Sequence, residues 1–338
     1  MKTWRKLGFL LGTVLLLIML AACGNQTDTA ATDTQTQNES AVTDPATAPA
    51  EDRAAKEAAA DDSETIVYAA ANGDITIPKN PKRIVVIADS YFGDFVQLGI
   101  TPVGAPDHVF QSAVLKEKTD GVTNIGDGSS VESVLGVDPD LIIVWVGNEN
   151  LEKFSKIAPT VAFEYGKLNT KERMLEFGRM TNRESEAQAW VDSWDSRIAE
   201  LKPEVQAAVG DKTVSILQPY DKGIYVMGDT FGRGGEILYQ ELELKAPAGT
   251  QKEAIDSGAG FASISLETLE DFAGDYIFTA PWQSADDGPA VYNSSIWKNL
   301  PGVKAGQVFE IDPVAYYFND PISLDSQLTF ITDSLLGK

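Results

Sequence analysis

Arg233 stands between Gly232 and Gly234 in the stretch "YVMGDTFGRGGEILY", with Phe231 two residues before it. A guanidinium offers several N–H donors in a fixed fork, and a flat ring beside it adds an apolar wall. That pairing suits a bulky ligand rich in oxygen acceptors and carrying little charge. The alternative is an ordinary ion pair of Arg233 with Asp229 or Glu236, beside a packed Phe231. A second aromatic run, "VAYYFNDP", carries Tyr316, Tyr317 and Phe318. Successive extended residues alternate sides, so these three rings cannot all face one core, and at least one is expected to be exposed. Tyr316 and Tyr317 are therefore expected in a pocket with Arg233, and Tyr91, Tyr165 and Tyr220 are further candidates for its wall.

Catalysis is hard to build from the remaining residues. His108, in "GAPDHVF", is the only histidine and Cys23 the only cysteine. Neither a structural zinc site nor a Cys-His pair is then available. A Ser-His-Asp triad is formally possible, but no G-x-S-x-G elbow is present. The "GRGG" run lacks the G-x-G-x-x-G spacing, and there is no Walker-type G-K-[ST]. His108 reads as a loop or cleft-edge residue, with a catalytic base in a surface enzyme as the competing reading.

These residues need elements to hold them. The runs "RIVVIA", "DLIIVW", "TVAFE", "TVSIL", "IYVMG", "YIFTA" and "QVFEID" alternate with helix-like segments, the pattern of βα units with mainly parallel strands. Between the third and fourth runs, Ala187, Trp190, Val191, Trp194, Ile198 and Leu201 recur at helical spacing. The periodicity predicts one long amphipathic helix, its tryptophans in the core, that Pro203 would end or kink. The fold class expected is α/β, with two Rossmann-like lobes joined by a single long helix. The expected lobes are residues 65–182 and 206–338, with the joining helix over 183–205. Ligands of open α/β folds gather outside the carboxyl ends of strands, where the Arg233 loop is expected to lie.

Lys2, Arg5 and Lys6 precede the apolar run "GFLLGTVLLLIML", which is short for a membrane-spanning helix and reads as a signal peptide over residues 1–22. It ends at "LAACGN", similar to the lipobox at which Cys23 would be cleaved and lipidated. Residues 24–63 contain no aromatic residue, Leu or Ile, so residues 23–64 are expected to form the lipidated cysteine and a flexible tether. The formal net charge is -23, and cleavage before Cys23 would remove three basic side chains and no acidic one. Nucleic acid is thereby excluded as a sensible partner, and the acidity is read as solubility.

A short internal repeat links the two halves. "SVESVLGVDPDLIIV" from Ser130 aligns without gaps on "SLETLEDFAGDYIFT" from Ser265, so Glu132 and Glu267 occupy equivalent places in two helix-then-strand units. Each would sit in the first turn of its helix, where "SSVE" also matches a capping box. A matched pair on two lobes also suits a two-point docking surface.

From "PKNPKRIVVIADSYFGDFVQLGI" to the C-terminus, the sequence resembles iron-siderophore substrate-binding lipoproteins of ABC importers, particularly the ferric-hydroxamate branch. The segments that carry the resemblance are "NIGDGSSVESVLGVDPDLIIVW", "KIAPTVAFEYGKL", "FGRGGEILY", "LETLEDFAGDYIF", "IWKNLPGVKAGQVFEID" and "YYFNDP". It implies an extracytoplasmic, lipid-anchored monomer on the cell membrane that binds its ligand between two lobes with little closure. In the hydroxamate branch an arginine matching Arg233 bonds the iron-coordinating oxygens, beside an aromatic residue, commonly Trp, that matches Phe231. Iron would be held only through the siderophore, with no cofactor or metal site of the protein's own. The resemblance also implies that Glu132 and Glu267 pair with arginines of the permease. The same architecture serves ferric-citrate, catecholate, heme and cobalamin carriers. Catecholates need more basic residues than the cleft loops offer, and heme would need an axial ligand from His108, a Tyr or a Met.

Overall fold

Runs of apolar residues with no polar interruption have nowhere to go but between two covering layers, and two such runs, "IVVIA" and "LIIVW", form the centre of the first sheet. The structure, a computed structural model, describes residues 64–282 and 288–338; the signal peptide, Cys23 and nearly all of the tether lie outside the described residues. The strands are β1 (Thr65–Ala70), β2 (Gly73–Pro78), β3 (Ile84–Val86), β4 (Gly104–Ala105), β5 (Thr123–Asn124), β6 (Leu141–Trp145), β7 (Thr160–Phe163), β8 (Val214–Tyr220), β9 (Gly223–Met227), β10 (Phe261–Ile264), β11 (Tyr276–Thr279) and β12 (Val308–Glu310). The first sheet has the order β5-β4-β3-β6-β7 and is parallel throughout. β3 and β7 are buried along their whole length, as expected of parallel strands covered on both faces.

The second sheet has the order β10-β9-β8-β11-β12. Here β8, β11 and β12 are parallel, whereas β9 runs antiparallel to both β8 and β10. The sheet is therefore mixed, and the Arg233 loop leaves β9 at the end away from the carboxyl ends of β8, β11 and β12. The loop nevertheless comes to lie where expected, with Gly232 beside Tyr165 and Tyr317, which follow β7 and β12. Residues 228–235 fold back until Arg233 reaches Gln218 on β8.

The internal repeat has a structural meaning. Asp140, just before β6, accepts hydrogen bonds from the backbone N–H groups of Lys82 and Arg83, which lead into β3. Asp275, at the matching place before β11, accepts one from Thr213 N–H at the start of β8. In each sheet the repeated aspartate thus ties the amino ends of two neighbouring central strands.

The joining helix spans Glu184–Val209, 26 residues, or about 40 Å. It buries Ala187, Trp190, Val191, Trp194, Ile198, Val205 and Val209, with the rings of Trp190 and Trp194 stacked at 5.6 Å. Pro203 lies inside this helix and does not end it; the helix runs on to Gly210, whose φ of 62° ends it. A proline here removes its own N–H donor and crowds the carbonyl four residues earlier, and the packed apolar face holds the turns on either side. One continuous core includes Ile84 and Ile143 of the first sheet, Trp190, Trp194 and Ile198 of the helix, and Ile216 and Phe278 of the second. All described residues belong to one compact unit, Ala58–Lys338.

Two elements were not anticipated. The β1-β2 hairpin lies against β7, where Asn72 both donates to the Thr160 carbonyl and accepts from Ala162 N–H, each at 3.0 Å, covering part of an open sheet edge. The C-terminal helix Pro321–Leu336, capped by Asp320, packs on both the joining helix and the first-lobe helix Phe92–Gln97. The end of the chain thus returns to the first lobe.

Candidate functional site

Three successive residues in the β9 loop, Gly232, Arg233 and Gly234, have positive φ angles of 73°, 62° and 90°. The glycines adopt this region freely, but for arginine it costs of order 1 to 3 kcal/mol and must be held from outside. Arg233 N–H supplies one such restraint by donating to the Tyr316 carbonyl at 3.1 Å. A side chain at Gly235 would collide with the carbonyl of Gly228, so the loop closes tightly on itself before the helical turn Glu236–Glu241.

This loop places Phe231 and Arg233 in the wall of a cavity of about 270 Å³, completed by Ser90, Trp145, Tyr165, Trp282 and Tyr317. Ser90, Trp145 and Tyr165 follow β3, end β6 and follow β7 in the first sheet; Trp282 and Tyr317 follow β11 and β12 in the second. The guanidinium carbon of Arg233 sits 4.8 Å from the ring centre of Trp282 and 4.9 Å from that of Tyr317. Tyr165 bridges Trp145 at 5.3 Å and Phe231 at 5.6 Å between ring centres. Both lobes therefore contribute rings to one wall.

Arg233 is 5% exposed. Its Nε donates to Gln218 Oε1 at 2.9 Å, and among the described residues no carboxylate lies within ion-pair distance. The expected ordinary partners are engaged elsewhere: Glu236 accepts from Thr170, and Asp229 from Gln240. Burial lowers the Arg233 pKa, with Tyr165 and Tyr317 partly opposing. Burial also pushes the Tyr317 hydroxyl up to about 12, so it stays protonated and able to donate.

The other expected wall residues fall outside the cavity. Tyr316 is turned into the core, 6% exposed, and its hydroxyl has no partner among the described residues; residues 313–317 form a turn rather than the expected extended chain, and that turn sends Tyr316 inward and Tyr317 to the cavity. Tyr91 lies behind Trp145, at 4.4 Å, with the Arg173 guanidinium over its ring. Tyr220 bonds Ser263 through its hydroxyl and stacks on Tyr225 at 4.2 Å, one ring removed from Trp282. His108 also stands behind the wall: its Nδ1 is 3.2 Å from Asp89 and its ring 4.2 Å from Tyr317. Ser90, Trp145 and Trp282 were not anticipated; Trp145 ends β6 and Trp282 lies three residues past β11.

Glu132 is exposed in the first turn of the helix Val131–Gly136, and Glu267 in that of Leu266–Asp271. Glu132 does not close the expected capping box. Ser130 caps its helix by accepting from Ser133 N–H at 3.1 Å, and Glu132 only accepts a long bond from the Ser130 hydroxyl at 3.5 Å. Hydrogen bonding from Ser265 holds the Glu267 carboxyl below its usual range. Among the described residues, no group of three or more His, Cys, Asp or Glu side chains is placed to hold a metal ion, and no helix is long and apolar enough to cross a membrane.

Two lobes, one joining helix and a ring-lined cavity define an α/β binding protein, and comparison with known proteins gives the family. Residues 84–315 match the periplasmic binding protein family, and the chain belongs to it. It is 48% identical over 333 residues, 98% of each chain, to the iron(3+)-hydroxamate-binding protein FhuD of Bacillus subtilis. It is also 34% identical over 288 residues, 83% of this chain and 88% of the other, to the iron(3+)-hydroxamate-binding protein YxeB of the same organism. Among solved structures, a FhuD-fold periplasmic binding protein component of a Fep/Fec-like ferrichrome ABC transporter from Bacillus subtilis matches with a TM-score of 0.76 at 54% identity, over 80% of this chain and 100% of that one. Staphylococcus aureus FhuD2 with bound ferrioxamine B matches with a TM-score of 0.71 at 37% identity, over 76% of this chain and 99% of that one.

Proposed function

We propose that this protein captures a ferric hydroxamate siderophore outside the cytoplasm and delivers it to the permease of an ABC importer. The observation that carries the reading is the state of Arg233: buried, bonded to a neutral amide, flanked by Trp282 and Tyr317, and, among the described residues, the only basic one in the cavity wall. A ferric trihydroxamate is close to neutral, presents oxygen acceptors around the metal and has an apolar scaffold. One multidentate donor among rings meets that need. Ferric citrate and catecholate complexes, with several negative charges, would be poorly balanced by a single arginine, and His108 behind the wall is poorly placed to bind heme iron. The names of the FhuD relatives support the hydroxamate assignment.

Arg233→Ala tests the reading. It should weaken ferric-hydroxamate binding by about 1.5 to 3 kcal/mol, roughly 10- to 150-fold, with near-normal thermal stability. The measurement is quenching of intrinsic fluorescence by ferrichrome- and ferrioxamine-type complexes, with iron-free ligands as controls. Unchanged affinity with lost stability would make Arg233 a structural residue.

Glu132 and Glu267, both exposed and one on each lobe, are the docking pair of this proposal. Replacing both by Ala should abolish uptake by cells and leave siderophore affinity unchanged; normal transport by the double variant would remove them from the interface. Cys23 is the proposed lipid attachment point, and the mass of the mature N-terminal peptide reports it.

A further inference from the structure

Gln218 lies on β8, is fully buried, and supplies through Oε1 the one acceptor for Arg233 Nε. Arg233 is the donor in that contact, so the amide oxygen must face it and the amide nitrogen must face away. That nitrogen, Nε2, has no partner among the described residues. A buried donor without a partner carries a free-energy cost. Glutamate would reach equally far, would leave no orphaned N–H, and would bind the guanidinium more strongly through a charge-assisted bond. The chain nonetheless places a neutral acceptor here.

We propose that Gln218 is the positioning residue of the binding site, fixing the Arg233 guanidinium through Nε while leaving its charge and Nη2 for the ligand, with Nη1 only at a long 3.5 Å from the Tyr316 carbonyl. The inference rests on the ferric-hydroxamate reading above. The division of labour follows from the geometry. The positive φ and the bond to the Tyr316 carbonyl hold the Arg233 main chain. Trp282 and Tyr317 flank the guanidinium and Gln218 sets its direction. A carboxylate at this position would complete an ion pair and draw the donors away from the cavity, and an aliphatic side chain would release the guanidinium to swing.

The experiment is a double-mutant cycle on the full-length chain, read by fluorescence quenching with a ferric trihydroxamate. Gln218→Leu and Gln218→Glu are each made alone and in the Arg233→Ala background. Each single variant should weaken binding by about tenfold or more, and the loss should vanish when Arg233 is already absent, because nothing remains to be positioned. Gln218→Glu isolates the charge, since it keeps the acceptor and breaks no bond at the unpartnered nitrogen. Binding by Gln218→Glu as tight as in the unmodified chain would overturn the need for a neutral acceptor. An equal loss with and without Arg233 would show that Gln218 merely supports the fold, and would overturn the proposal. Should Gln218→Glu fail to fold, the Gln218→Leu cycle alone decides. An unmodified chain that binds no ferric hydroxamate would instead sink the functional reading together with this one, whereas normal binding with no coupling sinks only the role of Gln218.

Discussion

Two arginines are buried among the described residues, and the fold treats them in opposite ways. Arg173, 1% exposed, donates from Nε to Asp94 at 2.8 Å and from Nη2 to the Asn319 carbonyl at 2.8 Å. Around it, Thr170 donates to Glu236, and Asp320 caps the C-terminal helix. Asp94 lies in the first lobe, Glu236 follows β9, and Asn319 and Asp320 precede the last helix, so this cluster clasps the two halves. A side chain at Gly93 would run into the Asp320 carboxylate, so the clasp admits no slack. Arg233 has one neutral acceptor for its Nε and two rings instead. Asp94 keeps Arg173 charged against the opposing effect of burial, while burial lowers the Arg233 pKa. A buried cation with its counter-charges present is a structural part; one without them is prepared for something that arrives later.

The largest effect should come from breaking the clasp. Arg173→Met leaves Asp94 buried and uncompensated and should cost about 3 to 5 kcal/mol of stability, read from the denaturant midpoint, while the molecules that fold bind ligand normally. Arg233→Ala should do the reverse, as described above. If both variants lost stability and affinity together, the contrast between the two arginines would be false.

A smaller effect concerns pH. Burial pushes the Asp94 carboxyl up to about 7, against the lowering influence of Arg173, from an ordinary value of 3.8. A folded value above the unfolded one means that the folded chain holds its proton longer. The associated stability is fully present below about pH 4 and lost as the pH rises through about 7. Asp94→Asn should therefore flatten the fall in Tm between about pH 4 and 7, measured against the parent chain. Burial raises Asp320 and Glu236 in the same direction, so some slope should remain.

The same contrast explains what could be read in the sequence. Strands buried on both faces appear as unbroken apolar runs, and the joining helix as a stripe of Ala187, Trp190, Val191, Trp194 and Ile198. The Arg233 loop stood out because glycines flank a charge. The clasp left no such trace: Asp94, Arg173, Glu236 and Asp320 are spread along the chain, and a polar residue on a helix looks solvated until a partner covers it. Trp145 and Trp282 were hidden because a tryptophan at the end of an apolar strand looks like core. Tyr316 and Tyr317 sit in a turn over residues 313–317, so strand alternation could not say which ring faces the cavity. The β1-β2 hairpin was legible and overlooked, since "ANGD" carries an Asn-Gly turn signal.

The clasp also bears on traffic at the importer. Under the proposed function, lobes that share one core and one tight polar lock should present the same two outer faces whether the cavity is empty or filled. A permease that recognises only those faces gains no information about cargo, so unloaded carriers compete with loaded ones for the same seat. The rate of iron entry then follows the occupied fraction of the carrier rather than its abundance, and making more protein without more siderophore slows uptake.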